Sequence, residues 1–413
     1  MKSSITGCSV IVHMGDPGLR QGWKEKSGML LSLADLLNST EGLRFLEAKG
    51  MVVDRKEFAA QLRMPVTSRL CELLDVKNAK PVFSGQEIYI DYPRSVLSKL
   101  LVLHELEQEP DVFPFFLWID TDRCGSDQFS VRIVWPLHGQ KDVIRISPTA
   151  FNAMESRFVA IDPSVLKKAI DRLGVCLSQA SAKDKRKAQS KSKYDELRTL
   201  FLQSNARTLS EFNLHVTYFL LNNQMRIHPH PVILSNLINR GVLTDEVNVF
   251  LNHLDDIVKV FNESVQSLVQ KGIDPHIKPL NAQYLPLHFS CPVDNRRLRL
   301  EHVITGKGHF AIATCKCGVN YSFYLGERTL SMDELATTKR WSPDVCLPIF
   351  LNDLVSGWVA GRSSALYSMV FHDVLRKVLN KAPVPILVPQ SLSRRESTPD
   401  LFDSLIYSYL SGL

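Results

Sequence analysis

The chain has 413 residues, 45% hydrophobic and 22% charged, with 49 Lys and Arg against 43 Asp and Glu. This composition excludes a collagen-like, coiled-coil or wholly disordered polymer. At roughly 150 residues per domain it allows two or three units able to bury cores without disulfide stapling. A net charge of +6 over this length is too diffuse to point to nucleic acid. The polar N-terminus leads into no apolar run of signal-peptide length, and the longest apolar stretches (113–119, 216–221, 384–388) fall far short of the roughly 20 residues that span a bilayer. A cytoplasmic protein with no membrane partner is expected. In a reducing compartment, clustered cysteines read as metal-binding rather than cross-linked.

Residues 28–74 place Met29, Leu30, Leu33, Leu36, Leu37, Phe58, Leu62, Leu70, Leu73 and Leu74 at helical spacing, with Ser39 and Thr40 as a stop or a new cap. Pro81-Val82-Phe83 then predicts a short strand ending in a turn at Ser84, Gly85 and Gln86. A helix over 96–106 and a buried strand over 113–119, ending at Asp120, come next. Strand, turn, helix, strand is the order of an α/β unit with a parallel sheet, whose ligands sit at the carboxyl ends of the strands. Residues 129–135 and 143–146 read as an exposed hairpin. Segment 178–193 holds five lysines, one arginine and one aspartate, and reads as a solvated helix or linker. The alternative there is a basic contact for a phosphate or an acidic partner.

Helical periodicity resumes over 194–271, broken at Ile227-His228-Pro229-His230-Pro231, and 243–269 predicts one amphipathic helix. From 286 to 325 the period switches to short strands. Beyond Trp341 a strand at 358–360, a helix over 363–379 and a strand at 385–388 return the chain to the parallel pattern. Leu401, Phe402, Leu405, Ile406, Tyr409 and Leu410 form an apolar tail expected to dock. The implied division is 1–80, an N-terminal helical part of the core; 81–177, its first half; 178–285, a helical connecting insert with the basic linker; 286–330, a small ribbon; and 331–413, the second half of the core and the tail.

The ribbon carries the clustered cysteines. His288-Phe-Ser-Cys291 and Cys315-Lys-Cys317-Gly318 offer two close pairs of nitrogen and sulfur ligands, as a tetrahedral structural zinc site needs. The expected ligands are His288, Cys291, Cys315 and Cys317, with Asp294, His302 and His309 competing for the fourth position. The plainer alternative is three buried or free thiols.

Elsewhere, Asp120 and Asp122 flank Thr121 at a strand end, where alternate residues point to one side. They and Arg123 are the candidate catalytic groups, one aspartate serving as a base or orienting an amine; pairing with Arg123 is the bland alternative. Ser84, Gly85 and Gln86 can offer a hydroxyl, a backbone N–H and an amide to a substrate. Gly361, Arg362, Ser363 and Ser364 open a helix and suit an anion, and Tyr367, one turn on, either reaches the substrate or belongs to the core. Cys124 has no base paired with it in the sequence, and His104, His228 and His230 read as face or turn residues. No G-x-x-x-x-G-K-[ST] loop and no H-I-G-H-like or K-M-S-K-S-like pair occurs, so none of these signals announces ATP or another nucleotide.

Three blocks in order carry a resemblance to a known family. They are Phe83-Ser84-Gly85-Gln86-Glu87; Phe115-Phe116-Leu117-Trp118-Ile119-Asp120-Thr121-Asp122-Arg123; and Trp341-Ser342-Pro343-Asp344-Val345-Cys346-Leu347-Pro348 with Ala360-Gly361-Arg362-Ser363-Ser364 and Val384-Pro385-Ile386-Leu387-Val388-Pro389. In these the chain resembles the bacillithiol synthase family, as a divergent member without the family's helical coiled-coil tail. The resemblance implies an α/β, Rossmann-like, nucleotidyltransferase-type parallel sheet core with a helical insert, the zinc-ribbon-like segment being an insert as well. It also implies a ligase that forms a C–N amide bond between cysteine, or a related amino acid, and the amino group of a small sugar–malate acceptor. The expected partners are those small molecules and a second copy of the chain. Two other readings stand beside it: a non-catalytic binding or scaffold paralogue, and an RNA-binding synthetase relative using 178–193 and the ribbon.

Overall fold

The computed structural model describes residues 31, 33–90, 92, 94–124, 130–134, 141–145, 153–179, 187–389 and 405–411. Its strands, in chain order, are β1 (Met51–Val52), β2 (Lys80–Glu87), β3 (Val112–Ile119), β4 (Ser130–Val134), β5 (Lys141–Arg145), β6 (His230–Ile233) and β7 (Tyr284–Ser290). The remainder are β8 (Arg297–Thr305), β9 (Gly308–Thr314), β10 (Asn320–Gly326), β11 (Trp341–Pro343), β12 (Gly357–Val359) and β13 (Ile386–Leu387). Six of them form a parallel sheet in the order β1-β13-β12-β2-β3-β6. A five-stranded antiparallel sheet runs β10-β9-β8-β7-β11, and β4 and β5 make a separate hairpin. The protein is therefore α/β.

The runs 82–83 and 115–118 are continuously apolar because both faces of a parallel sheet are covered. Alternation divides them between two cores. Phe83, Phe115, Leu117 and Trp358 belong to one, and Val82, Phe116, Trp118 and Val359 to the other. On the first face Phe83 stacks on Trp358, with centroids 5.5 Å apart and planes at 2°. On the second lies helix Arg94–Leu106, which joins β2 to β3 and contributes Leu97, Leu100 and Leu103. From β2 the chain moves outward through β3 to β6, whereas β12 and β13 fill the opposite side. The carboxyl ends of β2 and β12 thus flank a switch point, where an α/β sheet opens a crevice.

Several elements differ from what the sequence suggests. Ser84, Gly85 and Gln86 are not a turn: β2 stays paired with β3 from Lys80↔Val112 to Glu87↔Ile119. The amphipathic stretch 243–269 is two helices, Thr244–Leu251 and Leu254–Gln270, separated at Asn252 and His253. The backbone leaves the helical region at His253 (φ −121°, ψ 19°), and Asn252 just before it ties the first helix end to Leu330, its Nδ2 donating to O at 2.7 Å and its Oδ1 accepting from N at 2.8 Å. The segment 178–285 is not wholly helical, since it supplies β6 at the edge of the parallel sheet. Helix Lys187–Leu202 takes up the second part of the basic segment, while 180–186 lie outside the described residues. Ser39 does cap a new helix, Thr40–Ala48, accepting from Gly42 N at 2.9 Å. Leu405, Ile406, Tyr409 and Leu410 dock against the second core as expected, and Leu401 and Phe402 lie outside the described residues. No helix among the described residues is long and apolar enough to cross a membrane.

Gly357 gives a direct test of the packing of β12. A Cβ there would lie 2.6 Å from Leu62 Cδ2 and 2.7 Å from Phe58 Cζ, closer than carbon atoms pack. Gly357→Ala should destabilise the fold by about 1–3 kcal/mol through overpacking, read as a lower midpoint in urea with an unchanged slope.

Candidate functional site

A crevice of about 320 Å³ opens over the carboxyl ends of β2, β3 and β12, a size suited to a small ligand. Its floor is Phe83, Gly85 and Glu87 of β2, two residues apart and so on one face, together with Leu117 and Ile119 of β3. Its far wall is the antiparallel sheet, which presents His288 and Arg297, with Pro343 and Asp344 following from β11. Ser364 and Tyr367, from helix Arg362–Lys377, close the third side.

The charged centre is a chain of carboxylates and guanidinium groups. Arg297 donates to Asp122 Oδ1 at 2.8 Å, to Ser342 Oγ at 3.3 Å and to the carbonyl of Pro343 at 3.2 Å. Its Nε also lies 3.5 Å from Glu155, a fully buried carboxylate that Arg157 holds at 2.6 Å and Ser342 at 2.7 Å. Asp122 in turn shares a hydrogen bond with Glu87. Burial and the adjoining Asp122 carboxylate raise Glu87 from its ordinary 4.5 to about 7, against the opposing pull of Tyr89 and Arg297. Like charges at close range cannot both ionise easily, so the pair retains one proton to near neutrality. A group titrating there can accept or give a proton at physiological pH.

The residues singled out by sequence fall in different places. Asp122, Gly85, Gln86, Ser364 and Tyr367 all line the crevice. Asp120 does not. It is buried on the other side of the turn, where its carboxylate accepts from Ser235 N at 3.0 Å and Ser235 Oγ at 2.5 Å, and it lines a neighbouring cavity. The two aspartates part because β3 ends at Ile119 and the chain bends at Thr121 and Asp122, which ends the strand alternation. Arg123 is exposed and bridges to Glu155 through its backbone. Arg362 and Ser363 are exposed at the first turn of their helix, and Gly361 is its N-cap. Ser84 is buried on the opposite face of β2. Glu87, Glu155 and Arg297 escaped sequence reasoning. Glu87 was within reach, since it follows Gly85 by two residues on one strand, but the pairing of Arg297 with Asp122 joins positions 175 apart.

A second cluster lies at the end of the antiparallel sheet. Cys291, Asp294, Cys315 and Cys317 place one ligand atom each within 4.8 Å of one another, a set that can hold a metal ion. The Sγ atoms of Cys291 and Cys317 are 3.7 Å apart, and two sulfurs each 2.3 Å from one tetrahedral ion would be about 3.8 Å apart. Cys315 Sγ lies 3.3 and 3.4 Å from the two oxygens of Asp294. Gly318, in the left-handed region at φ 91°, turns the chain so that its N–H reaches the carbonyl of Cys315 at 2.9 Å. Burial and the neighbouring thiols push Cys315 up to about 12. A divalent cation reverses this order and holds thiolates ionised.

His288 is not part of this cluster, and the fourth place belongs to Asp294. Alternation along β7 turns His288 and Ser290 away from the core residues Leu287 and Phe289, so His288 faces the crevice, with its Nδ1 buried and unpaired. His302 and His309 hydrogen-bond to each other at 2.9 Å instead. No protein-family model matches the chain, and no curated protein matches it.

Two measurements test these assignments. Purified protein should carry about one divalent metal ion per chain by elemental analysis, and Cys315→Ser should lose most of it and melt at a lower temperature. For Glu87 the folded value lies above the unfolded one, so the folded state binds more protons between pH 4.5 and about 7 and stability falls as pH rises through that window. Glu87→Gln should remove a loss on the order of 2 kcal/mol, seen as a wild type that weakens relative to the variant between pH 5 and pH 8 in urea denaturation.

Proposed function

We propose that the crevice is the active site of an amide-forming ligase, joining cysteine or a related amino acid to the amino group of a small acceptor, as the resemblance to bacillithiol synthases implies. The observation that carries this reading is the Glu87–Asp122 pair, with Glu87 raised to about 7. An acceptor amine reaches the site as an ammonium and must lose a proton before its nitrogen can attack the carbonyl carbon of an amino acid whose carboxyl group a nucleoside triphosphate has activated, the phosphate or nucleotide leaving as the C–N bond forms. Glu87 takes that proton, and Asp122, held in place by Arg297 at 2.8 Å, stands beside it to orient the amine. The anionic end of the substrate lies toward residues 361–364, where helix Arg362–Lys377 begins. The six-stranded parallel sheet supports a Rossmann-like, nucleotidyltransferase-type core. The antiparallel ribbon with its three cysteines and Asp294 supports a zinc-ribbon-like insert, whose zinc holds the fold and does no chemistry.

The test is direct. Purified protein is supplied with cysteine, a sugar–malate amine and ATP with magnesium, and products are read by mass spectrometry. Glu87→Gln and Asp122→Asn should each lower turnover by about 10²-fold or more while remaining folded, Glu87→Gln melting at or above the wild-type temperature at neutral pH. An unimpaired Glu87→Gln enzyme would sink the reading. So would a gene deletion that leaves every cellular thiol and amide unchanged.

A further inference from the structure

Lys99 lies on helix Arg94–Leu106 with only 4% of its surface exposed. Its ammonium donates to the carbonyl of Gly85 at 2.8 Å and to Gln86 Oε1 at 3.1 Å, both neutral acceptors. Among the described residues no carboxylate forms a salt bridge with it. A buried cation normally has a counter-ion, because removing it from water is expensive. Burial alone accounts for the fall of its pKa from 10.5 to about 8.

The surroundings add positive potential. A Cβ on Gly361 would lie 3.8 Å from Lys99 Cδ, so the lysine stem runs beside the start of helix Arg362–Lys377. No side chain caps that helix, whose first-turn N–H groups and dipole both favour negative charge. Ser84 Oγ is fully buried without a hydrogen-bond partner. It shares the face of β2 with Val82, which packs in one cluster with Leu97 and Leu100 of the Lys99 helix. The ammonium and the uncapped helix start therefore stand together at the switch point, against Gly85 and Gln86 of the crevice lining, and the orphaned hydroxyl of Ser84 belongs to the adjoining residue of β2.

We infer that Lys99 is the charged floor of an anion subsite at the switch point, which takes a compact oxyanion, a phosphoryl or carboxylate group of the ligand. This deepens the reading of the crevice as a substrate site and gives Lys99 a specificity-determining role that its sequence context does not announce.

The probes are inorganic phosphate and acetate, each titrated against chloride at constant ionic strength while thermal unfolding is followed. One or both should raise the wild-type midpoint saturably, by about 2–4 °C. A response to phosphate alone identifies a phosphoryl group, and a response to acetate a carboxylate. Lys99→Met should abolish the response. Its midpoint without the anion should equal or exceed that of wild type, since an uncompensated buried charge has gone. Phosphate also stabilises proteins by exclusion from their surface, but that effect acts on both forms alike. Should the methionine variant fail to fold, Lys99→Gln, which keeps a donor for Gly85, must show the same loss of response. The inference falls if neither anion outperforms chloride on wild type, or if the variant responds as wild type does. Because no turnover is involved, an anion-binding protein that makes no amide would overturn the ligase reading and leave this one intact.

Discussion

One guanidinium holds the two sheets against each other. Arg297 stands at the start of β8, in the antiparallel sheet, and reaches Asp122 beyond the end of β3, in the parallel one. On the way it satisfies Ser342 and the carbonyl of Pro343, and it lies beside Glu155, a carboxylate with no exposed surface. Glu155 tolerates burial only because Arg157, Arg297 and Ser342 surround it. A network of this kind is rigid while every member is paired and fails badly when one is removed. The crevice is the space left between the sheets once this network has set their separation. The network also places Asp122 beside Glu87, and that neighbouring carboxylate, with burial, raises Glu87 against the opposing pull of Arg297.

The cysteine cluster bears on the same wall. Cys291 immediately follows β7, and His288, three residues earlier, already faces the crevice. Arg340 reinforces that end, donating to the carbonyls of Ser290 and Cys291 at 2.7 and 3.0 Å while its guanidinium lies 4.3 Å from the ring of Phe158. Arg157, which holds Glu155, also lies over the ring of Phe158, at 4.6 Å. An ion that fixes the tip of the ribbon thus fixes one end of the strand that bounds the ligand space.

The parallel core was legible because its signal is local: apolar runs such as 115–118 and strand–helix–strand order need no knowledge of distant partners. The grouping of Cys291 with Cys315 and Cys317 was legible for the same reason, a simple hairpin separating them. What escaped depends on direction or on distance. The sequence cannot tell which way a strand-end carboxylate turns, so Asp120 and Asp122 looked alike until the bend after Ile119 separated them. His288 was assigned by spacing to the metal, but alternation within β7 decides otherwise. Glu155, Arg297 and Lys99 take their significance from neighbours far along the chain, and nothing near them in sequence marks it.

The order of strands has a consequence for how the chain is made. β1 pairs with β13, joining Met51 to Ile386, and β12 separates β13 from β2. Until those last strands leave the ribosome, β1 has no partner and β2 presents an open edge. At roughly 5–20 residues per second, this spans tens of seconds of synthesis. For that time the nascent chain carries an unpaired apolar strand edge of the kind that invites aggregation. Among the described residues the first and last strands are neighbours, so the parallel sheet can close only late in synthesis, and the exposure of its edge is set by topology before any question of final stability arises.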